Sequence, residues 1–127
     1  MTLTKDTVRG VIDVYLRAWT TQDPDLIVTI FTPDATYHER VFGPPIRDQA
    51  GIYEYWQTKV VREQANIQAE LLSLYLDGST AIAEWEARFD DLVQGHRKQM
   101  REVAILEFDG DRIAHLREYW TSERLNS

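Results

Sequence analysis

The chain has 127 residues, 43% hydrophobic and 28% charged, with a formal net charge of −7 and no cysteine. That length supports a single domain over residues 1–127 with one sizeable core. The acidic balance, without a Lys/Arg cluster, argues against nucleic acid and against a basic membrane-binding helix. The lack of cysteine excludes disulfides, thiolate catalysis and Cys-ligated metals.

The opening Met1-Thr2-Leu3-Thr4-Lys5-Asp6 has no apolar signal core, and no stretch is long enough to cross a bilayer, so a cytoplasmic protein is expected. Thr4 or Asp6 can cap a first helix. Its apolar positions Val8, Val11, Ile12, Tyr15, Leu16 and Trp19 recur at three and four residues, and it ends near Gln22-Asp23. Pro24 suits the first turn of a short second helix with Leu26, Ile27, Ile30 and Phe31 on one face, broken by Thr32-Pro33-Asp34. Ala35 to Glu39 reads as a brief strand and Gly43-Pro44-Pro45 as a turn. A third helix starts near Asp48 and buries Ile52, Tyr55, Trp56 and Val60.

The period then changes. Strands are expected over 67–76, 80–89, 98–108 and 112–121, separated by Asp77-Gly78, a polar loop over 90–96, and the tight turn Asp109-Gly110-Asp111. Three helices with a short strand among them, followed by four long antiparallel strands, make an α+β fold in which the helices cover one sheet face. Strong twist curls such a sheet into a cone with a mouth at one end.

Three stretches carry a family resemblance: Asp23 to Glu39 (DPDLIVTIFTPDATYHE), Phe42 to Trp56 (FGPPIRDQAGIYEYW) and Leu106 to Trp120 (LEFDGDRIAHLREYW). In that order they resemble the ketosteroid isomerase and SnoaL-like branch of the nuclear transport factor 2 superfamily. The resemblance runs from about Val8 to Ser122 and implies a cone-shaped, NTF2-like fold enclosing a pocket. In the isomerase an Asp base moves a proton next to a ketone, while a Tyr and a protonated Asp hydrogen-bond the oxyanion. The resemblance aligns Glu39 with the base and Tyr15 with the oxyanion tyrosine. The tyrosine that supports Tyr15 corresponds to Trp56, which cannot accept a hydrogen bond. The protonated Asp corresponds to Ala104. Losing one such donor costs roughly 2.7–4 kcal/mol of barrier, so efficient steroid isomerisation is not implied; a related proton transfer, as in SnoaL-like cyclases, is.

Strand alternation offers replacements. If Phe108 faces the core, so do Leu106, Ala104 and Glu102. The resemblance turns Ala114, Leu116, Glu118 and Trp120 inward on the last strand. Glu102 and Glu118 would then be desolvated carboxyls, able to serve as acid or hydrogen-bond donor near neutral pH. Over 80–89, hydrophobicity favours burying Ala81, Ala83, Trp85, Ala87 and Phe89, while the resemblance permits the opposite face.

The expected site is therefore Glu39 and Tyr15 as catalytic groups, with Trp19, Trp56, Trp85, Glu102, Leu116, Glu118 and Trp120 around a small apolar or aromatic ligand. The implied enzyme is a cofactor-independent isomerase, cyclase or lyase acting on an apolar cyclic carbonyl compound; the alternative is a non-catalytic ligand-binding protein. His38, His96 and His115 lack metal-ligand spacing, so no metal is expected. An apolar outer sheet face with Val103 and Ile105, joined by Trp85 if strand 80–89 presents its other face, suggests a homodimer.

Overall fold

In a computed structural model that describes residues 2–125, Thr4 caps the first helix, its Oγ1 accepting the Thr7 N–H at 3.2 Å. Helix α1 (Lys5–Thr20) buries Val8, Ile12, Tyr15, Leu16, Ala18 and Trp19, the face set by three- and four-residue spacing. The chain then reverses at Gln22, whose φ of +55° lies in the left-handed region. The Gln22 side chain holds the turn by donating to the carbonyls of Val60 (2.8 Å) and Gln64 (2.7 Å). Asp23 caps α2 (Pro24–Val28) through the Leu26 N–H.

The expected second helix stops at Val28, and Phe31 opens strand β1 (Phe31–His38) instead of closing a helical face. The Thr32-Pro33-Asp34 break thus lies inside a strand. Pro33 is tolerated because the pairing of β1 with the last strand is irregular between Phe31 and Thr36, where no regular ladder bond is required of it. A two-residue strand that the sequence pattern does not reveal, β2 (Ile46–Arg47), pairs with β1 at Tyr37↔Ile46. Helix α3 (Asp48–Trp56) runs on into a π-helical segment, Gln57–Arg62.

Strands β3 (Gln64–Asp77), β4 (Thr80–Asp91), β5 (His96–Asp109) and β6 (Arg112–Arg124) complete one sheet ordered β2-β1-β6-β5-β4-β3. The fold is α+β with three helices, as the sequence implies, but the sheet is mixed. β1 runs parallel to β6, and the other pairings are antiparallel. Gly78 and Gly110, with φ of +63° and +65°, occupy the tight turns joining β3 to β4 and β5 to β6, a conformation that glycine adopts without steric cost.

Ala81, Ala83, Trp85, Ala87 and Phe89 are all buried, which settles the orientation of β4 in favour of hydrophobicity. Opposite them, Glu102, Ala104, Leu106 and Phe108 are buried on β5. On β6 the alternation slips. Ile113, not Ala114, is fully buried, because the register jumps from Phe108↔Ile113 to Glu107↔His115 and leaves Ala114 unopposed in a bulge. Leu116 and Glu118 are buried as expected.

Candidate functional site

Between the helices and the concave sheet face lies a cavity of about 290 Å³. Tyr15 and Trp19 enter from α1, Tyr37 from β1, Glu39 and Arg40 from the loop after it, and Tyr55 and Trp56 from α3. The π-helical segment supplies Lys59 and Val60. The long strands supply Gln64, Phe89, Asp91, Lys98, Met100, Glu102, Glu118, Trp120 and Ser122.

Two carboxyls mark the buried part of this cavity. Glu102 and Glu118 are only 3% and 5% exposed. They come from adjacent strands one register step apart, Ala104 standing opposite Glu118 and Glu102 opposite Trp120. The Tyr15 hydroxyl donates to Glu118 Oε2 at 3.3 Å and lies 2.9 Å from the Tyr37 hydroxyl. With its one proton committed to Glu118, Tyr15 accepts from Tyr37, so the order is Tyr37 to Tyr15 to Glu118. The two carboxyls hydrogen-bond each other, and among the described residues no other side chain donates to Glu102 Oε2, while the buried Trp85 Nε1 has no acceptor. The Trp85 indole favours the Glu102 carboxylate electrostatically without completing a hydrogen bond to that oxygen.

Burial dominates the electrostatics. Desolvation, followed by the charge of Glu118, pushes the Glu102 carboxyl well above the ordinary carboxylate range. Desolvation also raises Glu118, although the neighbouring Glu102, Tyr37 and Tyr15 groups offset part of the rise. Two such carboxyls in one dry site cannot both ionise readily, so they titrate as a pair that retains a proton above the usual range. Tyr15, Tyr37 and Tyr55 are raised too, first by burial and then by the Glu118 charge, and all three stay as neutral hydroxyls.

Glu39 lines the cavity and is held at both ends. Its backbone carbonyl accepts the Trp120 Nε1–H at 3.2 Å, and its carboxylate pairs with Arg40 Nε at 3.3 Å. Arg40 in turn lies over the Trp120 ring, 5.2 Å from its centroid. Two further ion pairs line the cavity: Lys59–Glu63 at 3.2 Å and Lys98–Asp91 at 2.9 Å.

Of the residues expected at the site, Glu39, Tyr15, Trp19, Trp56, Glu102, Glu118 and Trp120 share the cavity wall. Trp85 and Leu116 do not. They are fully buried in the layer behind it, with the Trp85 ring 4.8 Å from that of Tyr15. Trp56 stands edge-on to Tyr15 at 5.6 Å, a packing contact only, and its buried Nε1–H has no hydrogen-bond partner among the described residues. The hydrogen bond to the Tyr15 hydroxyl comes instead from Tyr37, which the family alignment does not single out. The signal is present in the alternation, since Ala35, Tyr37 and Glu39 fall on one strand face. Neither the Lys59–Glu63 nor the Asp91–Lys98 pair is singled out by the motifs. Among the described residues no group of three or more His, Asp or Glu side chains is placed to hold a metal ion.

A family model of the SnoaL-like domain matches residues 12–116. No curated protein matches the sequence. Solved structures with the same fold include a hypothetical protein with a ketosteroid isomerase-like fold from Catenulispora acidiphila DSM 44928, in complex with trimethylamine. It is 17% identical, with a TM-score of 0.77 and coverage of 86% of this chain and 83% of that one. The epoxide hydrolase/cyclase-like enzyme SalBIII of pyran ring formation in the polyether salinomycin is 21% identical, with a TM-score of 0.79 over 92% of each chain. An LEH-like epoxide hydrolase from M. tuberculosis is 19% identical, with a TM-score of 0.75 over 93% of this chain and 84% of that one. At these identities the likeness establishes the fold.

Proposed function

The chain belongs to the SnoaL-like domain family, and on that premise we propose that it is a small-molecule enzyme. It moves a proton on a mostly apolar cyclic substrate, as an isomerase, cyclase or lyase. The observation that carries this is the buried Glu102–Glu118 pair facing an aromatic-walled cavity and tied to Tyr15 and Tyr37. A carboxyl pair that keeps a proton above the ordinary carboxylate range is an acid suited to protonate a substrate oxygen. Glu102, with an unpartnered oxygen, is the donor. It takes over the role that the missing acid at Ala104 would have had, from the next inward position of the same strand. Glu39, anchored by Trp120 and Arg40, accepts the proton that leaves the substrate. Tyr15 acts through Glu118, holding its charge in place. Acid–base transfer of this kind requires no cofactor.

A carbonyl or epoxide oxygen satisfies the same acid, and the structural neighbours described as cyclase-like and epoxide hydrolase-like support testing both. The neighbour that holds trimethylamine supports a small organic ligand. The test is a panel of cyclic ketones, enones and epoxides in heavy water, scored for deuterium exchange and ring opening. General acid–base groups typically contribute about 10²–10⁴-fold, so Glu39→Gln and Glu102→Gln should each lose activity on that scale. Full activity in both variants would overturn the proposal. The Glu39–Arg40 ion pair, which occupies the proposed base, favours a second reading as a ligand-binding protein. That reading gains if panel compounds raise the melting temperature and none is turned over.

We also propose a homodimer through the outer sheet face, where Tyr75, Ile82, Val103 and Tyr119 are exposed on neighbouring strands.

A further inference from the structure

Five carboxyl groups line the cavity: Glu39, Glu63, Asp91, Glu102 and Glu118. Three of them already have a cation, Arg40 on Glu39, Lys59 on Glu63 and Lys98 on Asp91. Glu102 and Glu118 have none among the described residues; they hydrogen-bond each other, and Glu102 Oε2, in a residue only 3% exposed, receives no N–H or O–H donor from any other described side chain. The walls around them are the rings of Tyr15, Trp19, Tyr55 and Trp56, with Trp120 beyond, one face of which Arg40 already covers. Aromatic faces attract organic cations, most strongly where water is excluded. A fully apolar ligand leaves the Glu102 oxygen unsatisfied, a neutral carbonyl or epoxide satisfies it only while Glu102 holds the proton, and an anion meets the wrong charge. A protonated amine supplies both missing features, a positive charge and an N–H donor.

We propose that the cavity accepts a compact organic ammonium ion, a protonated tertiary or secondary amine on an apolar ring, bonded through its N–H to Glu102. This deepens the proposed function and rests on its premise that the carboxyl pair shares a proton. The exchange balances. The ammonium enters with its own proton, the shared proton of the Glu102–Glu118 pair leaves to solvent, and the net charge of the site is unchanged. The same state arises when a neutral substrate takes the pair's proton, since substrate cation and carboxylate pair then face one another. The groups that face the pair are Tyr15 from α1, Tyr37 from β1, Glu39 from the following loop, Tyr55 from α3 and the Trp85 indole from β4. None of these brings a cation, and the cations that line the cavity, Arg40, Lys59 and Lys98, are each paired with another carboxylate. At about 290 Å³ the cavity sits at the small end of ligand pockets, roughly 300–1,000 Å³, so a single ring fits the class.

Titration calorimetry on the whole protein tests this with benzyldimethylamine and the neutral N,N-dimethylbenzamide, each in two buffers of different ionisation enthalpy. The amine should bind at least tenfold more tightly than the amide and release up to one proton per site at neutral pH. Glu102→Gln should weaken amine binding at least tenfold and abolish the proton release; Glu118→Gln is the second variant if the first fails to fold. Equal binding of amine and amide, or amine binding unchanged in a folded Glu102→Gln or Glu118→Gln protein, would overturn the proposal. Failure here, with turnover that still depends on Glu102, removes the cation inference alone. Amine binding with proton release, but without any Glu102-dependent turnover, removes the proton-transfer function alone.

Discussion

At the scale of single residues, Glu102 makes stability depend on pH in the direction opposite to most carboxylates. Its pKa in the fold lies above the ordinary 4.5, so above that pH the folded state binds more protons than the unfolded chain. Its contribution is fully present below pH 4.5 and is lost as pH rises through the folded value. Asp91 works the other way. Burial pushes it up, but the Gln94 and Val93 backbone N–H groups and Lys98 more than compensate and hold it low, so its contribution fades on acidification. Wild type should therefore melt at a lower temperature at about pH 8 than at about pH 5.5. Glu102→Gln should flatten this slope and melt above wild type at the higher pH. Thermal scans across that range check both statements, and a wild-type melting temperature that climbs with pH would contradict them. The site was partly legible at this scale. Alternation from Phe108 places Glu102 in the core by counting alone, and the family alignment finds Glu39, Tyr15 and Glu118. Counting cannot find that the Tyr15 proton belongs to Glu118, because α1, β1 and β6 meet only in the folded chain.

At the scale of elements, joints that look minor in sequence position the cavity. Gln22 carries a strained φ of +55° and ties the end of α1 to the π-helical segment and the start of β3 through two side-chain hydrogen bonds. Gln22→Ala leaves the Val60 and Gln64 carbonyls without that donor, and unsatisfied groups of this kind cost about 1–3 kcal/mol. Urea unfolding should show a loss in that range, and a loss near zero would mean that water replaces the amide. Gly110 is a cleaner case. A Cβ there meets nothing within 4 Å, so Gly110→Ala costs only the backbone term of φ +65°, about 1–2 kcal/mol. The long strands and α1 are readable because one face of each is buried and the period is unambiguous. The stretch from Ile30 to Arg47 is readable only in part: the brief strand over 35–39 and the turn at Gly43-Pro44-Pro45 are found, but not the start of the strand at Phe31. Phe31 continues a helical apolar face in sequence, Pro33 argues against a strand, and β2 has two residues. Pairing with β6, distant in the chain, extends the strand back to Phe31, and β2 pairs with its other edge at Thr36 and Tyr37. The slip at Ala114 has the same origin, since a bulge is a property of two strands together.

For the whole molecule, the concave sheet face holds the cavity and the convex face stays open. Ile82, Val103 and Tyr119 lie on consecutive strands of that open face, Tyr119 at 45% exposure. Arg101 bridges Glu84 and Glu86 alongside them, an exposed charge cluster that adds little stability by itself. If two copies cover one another there, wild type sediments as a dimer at micromolar concentration, and Val103→Glu shifts it to monomer while leaving the fold intact. A wild-type monomer under those conditions removes the dimer. The dimer is separate from the cavity chemistry, whose central claim is that one proton stays on the Glu102–Glu118 pair at neutral pH. Carbon-13 NMR of the side-chain carboxyls, titrated from acid to alkaline pH, addresses that claim most directly, with Glu102→Gln and Glu118→Gln assigning the resonances. The predicted result is two coupled steps, the upper one at or above neutral pH, which collapse to a single step in either variant. Two independent steps in the ordinary carboxylate range would show a fully ionised pair and contradict the proposed acid.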